Sequence, residues 1–386
     1  MKTIKQPLFE TFASVSNLIK AIENSARHKL KRARIRKILA HKERIAYRLH
    51  KTLTEGKMIF PKHVAQRIND GIERKSRIIV KPDYEELIIQ WAIIQVLRPY
   101  INKGMYHWSC GSVEKRGAIY GKNHIERFIR ENPSRIKYVC KCDIHHFFES
   151  VDIDRLKLTF KKMMRDKQMQ DIINKVLDCN IVELDGENVD VGLPIGFYTS
   201  QHFANFYLQE FDHYVIEDLI VDCFVRYVDD FMFFGANKKE LHRKLKLVSE
   251  YLNSIGLKLK GNYQVFRFDY VDKRTGKRKG RPIDFMGYIF YRDKTIIRKK
   301  TFIKSMRKFT KISKLKIIDL HSARQALCYI GYYKHANSYK VFIDKVSPLV
   351  NVGKCKKIVS YYDKRKENKN VIKLEERRKF SQAFAC

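Results

Sequence analysis

Residues 224–235 read Phe-Val-Arg-Tyr-Val-Asp-Asp-Phe-Met-Phe-Phe-Gly, an apolar and aromatic run interrupted by the adjacent acids Asp229 and Asp230. No other stretch of the chain constrains its fold as tightly. Flanks so rich in aromatic and β-branched residues bury as strands, so the acids between them fit the turn of a buried β-hairpin. Two carboxylates about 4 Å apart in an effective dielectric near 20 repel by roughly 4 kcal/mol. A divalent cation relieves that repulsion, and phosphoryl transfer is the chemistry that uses one in this way. A solvated acidic turn is the plain alternative.

The charge of the chain narrows its partners. Lys plus Arg number 79 against 42 acids, a formal charge of +37, while 44% of residues are hydrophobic and 12% aromatic. Such a chain is a folded basic protein and not a disordered polycation. Its natural counter-surface is a polyanion, with nucleic acid ahead of an anionic membrane. Charge alone also fits a sticky, ribosomal-type RNA binder without chemistry. At 386 residues, two or three lobes are expected.

The eight cysteines are scattered with no Cys-x-x-Cys pair, which argues against a zinc site and for a reducing, cytoplasmic setting. Lys2 and Lys5 are not followed by an apolar stretch, so no signal peptide is expected. The most apolar helix candidate, Leu87 to Leu97, contains Gln90 and Gln95 and reads as a core helix too short to span a bilayer. No membrane partner is expected.

Along the chain, Ser25 to His50 is predominantly basic, with Ile35, Ile38, Leu39, Ile45 and Leu49 spaced for one helical face. A basic strand is expected over Arg74 to Pro82, a buried helix over Tyr84 to Tyr100, and a strand running into a turn over Tyr138 to Val151. An aromatic helix should follow Gln201, another should span Lys238 to Ile255, and a very basic helical region should begin at Lys299. Lys273 to Arg281 reads as a basic turn, either a solvated hairpin tip or an RNA contact. The absence of Gly-x-Gly-x-x-Gly and of Gly-x-x-x-x-Gly-Lys-Ser/Thr argues against dinucleotide and P-loop enzymes.

A two-metal site needs a further carboxylate from elsewhere. Asp143 is the candidate, because Val139-Cys-Lys-Cys-Asp puts an acid at the end of a short apolar strand that can pair beside the hairpin. His145 and His146 are poor ligands for one ion, since neighbours in a strand face opposite ways.

Further segments, in order, carry a resemblance. Asp143 with Phe148 five residues on, Gly192-Leu-Pro-Ile-Gly-Phe-Tyr-Thr-Ser-Gln201, Tyr227-Val-Asp-Asp230, Gly256-Leu-Lys258 and Asp284-Phe-Met-Gly-Tyr288 resemble the successive palm motifs of reverse transcriptases. The resemblance covers about residues 60–345. It implies an α+β right-hand polymerase with fingers, a palm of antiparallel sheet and helices, and a short helical thumb. The implied divisions are a basic helical N-terminal segment (1–55), fingers (56–138), palm (139–297, with finger elements interleaved at about 160–195), and thumb with a basic tail (298–386). It also implies template RNA, an RNA/cDNA duplex and dNTPs as partners and two Mg²⁺ ions as cofactors, with Mn²⁺ as a substitute.

By the same resemblance, Asp143 and Asp229 hold the metals, with Asp230 beside them and the carbonyl of Ile144 as a further ligand. Lys75 and Arg77 match the basic residues that grip the triphosphate, where cations offset its charge; solvated bases on an edge strand are the alternative. Phe148 stands where an aromatic blocks a ribose 2′-OH, which favours DNA synthesis, although Phe147 and Phe148 are also core candidates. Gly196 and Lys258 fall at the nucleotide, with Lys258 or Lys260 a proton donor to pyrophosphate or a surface lysine. Ser200, Gln201, Met286, Gly287 and Tyr288 fall on the template and primer side. Tyr106 to Gly121 holds the place of a template-side segment but departs from its usual form, and Arg116 and Lys122 are read as template-backbone contacts.

Ile195 discriminates within the family. Most members carry Pro-Gln-Gly where this chain has Pro194-Ile195-Gly196, and Ser-Pro where it has Ser200-Gln201. Isoleucine offers no polar handle near the incoming base, so selection leans on pairing and shape and rejects mismatches less strongly. This form is similar to that of diversity-generating retroelement reverse transcriptases, which copy an RNA with errors at adenines. Leu8 to Arg32 and Gly331-Tyr-Tyr-Lys-His-Ala-Asn337 resemble that group's N-terminal segment and thumb. The likeness implies a small basic accessory oligomer and a cytoplasmic, prokaryotic or phage-encoded setting. Open alternatives are an ordinary packing substitution at Ile195 in an accurate enzyme, a retron-like, intron-derived or phage-defence reverse transcriptase, and a non-catalytic RNA-binding protein on a polymerase scaffold.

Overall fold

The structure is a computed structural model that describes residues 3–27, 29–30, 32–70 and 75–364. It divides into two units: Met1–Ile125 with Asn132–Arg267, and Glu126–Glu131 with Phe268–Cys386.

The first unit is built on a four-stranded antiparallel sheet, in spatial order Asp222–Tyr227, Asp230–Gly235, Tyr138–Asp143 and Gln264–Arg267. Phe231, Met232, Phe233 and Phe234 are buried in succession. Side chains alternate between faces along a strand, so consecutive burial means that both faces of this strand are covered. The helix Lys238–Ser254 packs on the sheet through Leu241, Leu245, Val248 and Leu252 and starts at Asn237, whose side chain accepts from Lys239 N and Glu240 N.

Helix Tyr84–Lys103 is buried on most sides, as a core helix should be, and packs against helices Val15–Ala26 and Tyr198–Tyr207. The basic stretch after Ser25 differs from the continuous face read from its spacing. It folds as two helices, Ala33–Ala40 and Lys42–Thr54, broken at His41. Ile35 and Leu49 are buried while Ile38, Leu39 and Ile45 lie partly buried against the same core. The break lets both helices keep apolar residues on that core.

The basic strand is Lys75–Val80, paired antiparallel with Ala65–Asp70. In the second unit, strands Ile283–Phe285, Tyr288–Phe290 and Thr295–Ile297 form a sheet. Helices Lys299–Ser313 and Leu320–Lys334 enclose a separate core of Phe309, Ile312, Ala323, Ala326 and Tyr333. The basic turn is a short hairpin, Tyr270–Val271 with Arg278–Lys279, whose base is held by the Arg278 guanidinium on Asp269 at 2.5 Å. Among the described residues no helix is long and apolar enough to cross a membrane.

Candidate active site

The hairpin forms as its apolar flanks require, but its turn carries only the first of the two acids, and Asp230 begins the second strand. Tyr227 pairs with Asp230, which leaves Val228 and Asp229 as a two-residue turn. Such turns need a positive φ at their first central residue, a place normally filled by glycine or asparagine. Val228 supplies it at φ 61°, a strained conformation for a β-branched residue.

Asp143 ends the neighbouring strand directly opposite Asp230, and Ile144 N donates to Asp229 O at 3.2 Å. Three carboxylates therefore share one end of the sheet, an arrangement that costs energy because like charges across a strand pair repel. Burial raises Asp229, with the Asp143 charge adding to it. Burial likewise pushes Asp230 up to about 6, with Lys141 opposing and Asp143 and Asp229 reinforcing. Beside Lys141, a second counter-charge is Lys260, whose Nζ lies 2.8 Å from Asp143 Oδ1 and whose N donates to Asp143 O at 2.8 Å. Of the two lysines considered at this position, Lys258 is exposed and Lys260 is the one on the acids. Among the described residues, no three His, Cys, Asp or Glu side chains converge tightly enough to form a finished metal cage.

The loop Gly192 to Phe197 is fastened on two sides. Leu193 N donates to Phe148 O at 2.8 Å, and Val80 N donates to Ile195 O at 2.8 Å. Gly196 has φ 122°, and a Cβ there would collide with Val80 O, so the close approach of loop and strand requires glycine. Phe148, Ile195 and Gly196 are thereby gathered with the strand that carries Arg77, which is exposed. The side chain of Lys75 lies outside the described residues. Phe147 is buried core, while Phe148 is half-buried with its ring 5.5 Å from that of Phe147. Ser200 is buried and donates to Pro194 O at 2.7 Å, whereas Gln201 is exposed.

Arg116 is turned inward, donating to Tyr106 O at 2.6 Å, and Lys122 is buried with its ammonium on Asn123 Oδ1. Met286 and Gly287, at φ 49° and 87°, form a two-residue turn in the second unit. Tyr288 beside them is buried, its ring 5.7 Å from that of Tyr332. His145 and His146 lie in the turn after Asp143 and not within a strand, so the opposite-face argument does not apply to them. Their rings meet edge-on at 4.2 Å, and His146 Nδ1 is 2.6 Å from Glu149 Oε2.

Sequence reasoning missed the group beneath the acid turn. Arg226 and Asp212 are both fully buried and make a two-point ion pair, Nε to Oδ1 and Nη2 to Oδ2, each at 2.6 Å. Arg226 Nη1 also donates to Asn205 Oδ1 and to Val228 O, both at 2.9 Å. The available signal was a lone arginine inside a strand with apolar neighbours on both faces.

The sequence profile of the family described as reverse transcriptase (RNA-dependent DNA polymerase) matches residues 61–290, more than half of the chain. Among solved structures, apo telomerase from Candida tropicalis is 14% identical with a TM-score of 0.49, covering 70% of this chain and 53% of that one. Telomerase from the same organism in complex with a TWJ fragment of telomeric RNA is 14% identical with a TM-score of 0.48, covering 81% and 55%. The corresponding Candida albicans complex is 14% identical with a TM-score of 0.45, covering 72% and 54%. The chain spans about half the length of these telomerases, and likenesses at this level carry no weight beside the sequence match. No curated protein matches the sequence. With its mixed helices and antiparallel sheets in the right-hand polymerase fold, the chain belongs to the reverse transcriptase family.

Proposed function

We propose that this chain is an RNA-directed DNA polymerase whose reaction centre is Asp143, Asp229 and Asp230. The observation that carries the reading is the meeting of these acids at one end of the buried sheet, Asp143 opposite Asp230, with burial raising both hairpin acids from their ordinary value. The donor set, carboxylates with the backbone carbonyl of Ile144, consists of hard oxygens that suit Mg²⁺ or Mn²⁺. Asp143 and Asp229 would hold such ions, with Asp230 beside them. When bound, a pair of divalent ions supplies charge stabilisation for in-line attack of a primer 3′-OH on a dNTP α-phosphate.

The protein's own part is position and electrostatics. The acids hold a fixed negative charge on the hairpin, and Lys260 is paired with it through Asp143. Lys75 and Arg77 neutralise the triphosphate, Phe148 packs against the sugar and excludes a 2′-OH, and Gly196 keeps the loop tight on the strand of Arg77. Ser200, Gln201, Met286, Gly287 and Tyr288 belong to the template and primer side, and Arg116 and Lys122 to contacts with the template backbone. The +37 charge suits RNA and an RNA/cDNA duplex. The domain reading is an N-terminal segment to residue 55, fingers to 138, palm to 297 and thumb beyond.

Within this class we propose the diversity-generating retroelement type, with a small basic accessory oligomer as partner, on the strength of Ile195. Its half-buried side chain carries no hydrogen-bonding group, so a mismatched base meets no polar penalty there. Sequencing cDNA copied from a defined RNA tests this. Errors should concentrate opposite adenine and fall several-fold in Ile195→Gln; uniform fidelity in the wild type, or no change in the variant, removes the assignment and leaves a retron-like or intron-derived enzyme.

A further inference from the structure

Resting on the polymerase reading above, we infer that Arg226 is a positioning residue for the reaction: its buried guanidinium, anchored on Asp212, holds the strained Val228 turn and so sets the Asp229 and Asp230 carboxylates for divalent ions. The guanidinium has no contact with solvent, and its Nε, Nη1 and Nη2 are all used. Two bonds go to Asp212, which fixes the plane of the group. Asp212 is held in turn by Ser109, whose Oγ donates to Oδ2 at 2.5 Å. With its plane fixed, Nη1 reaches Val228 O at 2.9 Å, the carbonyl immediately before Asp229. Asn205 accepts from the same Nη1 and donates through Nδ2 to Gly111 O at 2.8 Å.

Gly111 packs against the same turn. A Cβ there would collide with Val228 Cγ2 and crowd Val228 N. The segment is stitched to the strand as well, since Cys110 N donates to Arg226 O at 2.8 Å and Arg226 N to Trp108 O at 3.2 Å. Val228 is thus gripped at its carbonyl by Arg226 and at its side chain by Gly111. A β-branched residue at φ 61° persists only where its surroundings over-determine it. A buried ion pair is poor at adding stability, and fixing a geometry is a better-attested use.

The test uses the full chain and two variants that reach the turn through different contacts. Arg226→Lys keeps the buried charge but loses the fork that joins Asp212 to Val228 O. Gly111→Ala keeps the whole ion pair and pushes on Val228 directly. Mn²⁺ is titrated by electron paramagnetic resonance into the protein without nucleic acid, and kcat and the dNTP KM are measured by primer extension below the melting temperature of the weaker variant. Partners that orient metal ligands typically matter by about 10- to 100-fold. Each variant should therefore raise the half-saturating Mn²⁺ and lower kcat by at least about tenfold, with KM nearly unchanged. Variants that melt earlier but bind Mn²⁺ and turn over like wild type overturn the inference. If Arg226→Lys does not fold, Asp212→Asn takes its place: it weakens the anchor of the guanidinium and should shift the half-saturating Mn²⁺ in the same direction, and no shift overturns the inference. A wild-type protein that binds Mn²⁺ yet extends no primer sinks the polymerase reading, and the Mn²⁺ titrations still judge Arg226.

Discussion

At the scale of single residues, side chains that no charge count would single out hold this site together. Gly196 lets the Gly192 to Phe197 loop close on Val80, and a Cβ there meets both a collision with Val80 O and a φ of 122°. Gly196→Ala should cost more than about 2 kcal/mol in urea unfolding; a loss below about 0.5 kcal/mol would show that the loop and strand do not need this approach. Burial lowers the His202 imidazole to about 4 from its ordinary 6.5, with the Arg98 charge adding to the effect. The folded protein keeps His202 neutral in that window while the unfolded chain takes up a proton, so stability is lost as pH falls from 6.5 towards 4. Melting temperatures of His202→Gln should fall less steeply over this range than those of wild type, and parallel profiles would contradict it. The hairpin was legible from its apolar flanks, but its turn holds Asp229 with Val228, while Asp230 opens the following strand opposite Tyr227. Arg226 and Asp212 were not legible, because a buried ion pair between residues on a helix and a strand leaves no local periodicity to read.

At the scale of elements, periodicity located the strands and helices that carry the acids, but not how loops and ends are fastened. The spacing of Ile35, Ile38, Leu39, Ile45 and Leu49 conceals the break at His41, because two helices can present one apolar set to a common core. The segment around Trp108 to Gly111 gave little signal for the same reason, its role being set by bonds to a distant strand. One carboxylate shows how far such fastening reaches. Asp166 Oδ1 caps helix Lys167–Leu177 by accepting from Met169 N at 3.0 Å. Its Oδ2 accepts from Leu8 N and Phe9 N, at 2.6 and 2.7 Å, at the start of helix Phe9–Ala13. Asp166→Ala removes a cap and leaves two further donors without their acceptor, a cost of about 2–3 kcal/mol. Hydrogen exchange should speed up across residues 8–13 and 167–170 together; acceleration confined to the second stretch would mean that the N-terminal helix is held by its apolar contacts alone.

At the scale of the whole molecule, net charge and an aromatic-rich core separate a folded basic protein from a disordered polycation, and the order of the acidic and glycine-bearing segments places it in the reverse transcriptase family. Composition could not have done so, since +37 serves an inert RNA-binding protein equally well. The meeting of Asp143 with Asp230 across one strand pair favours the proposed catalytic role over an inert RNA-binding one, since cation handling is a use for half-buried acids that repel one another. The direct measurement is primer extension on an RNA template with dNTPs and Mg²⁺, comparing wild type with Asp229→Ala at matched folding and RNA binding. Wild type should extend the primer and the variant should lose at least about a thousandfold in rate, on the scale of removing a group that acts only in the transition state. Extension that survives Asp229→Ala, or a folded wild-type protein that binds RNA and extends nothing, would contradict the polymerase reading.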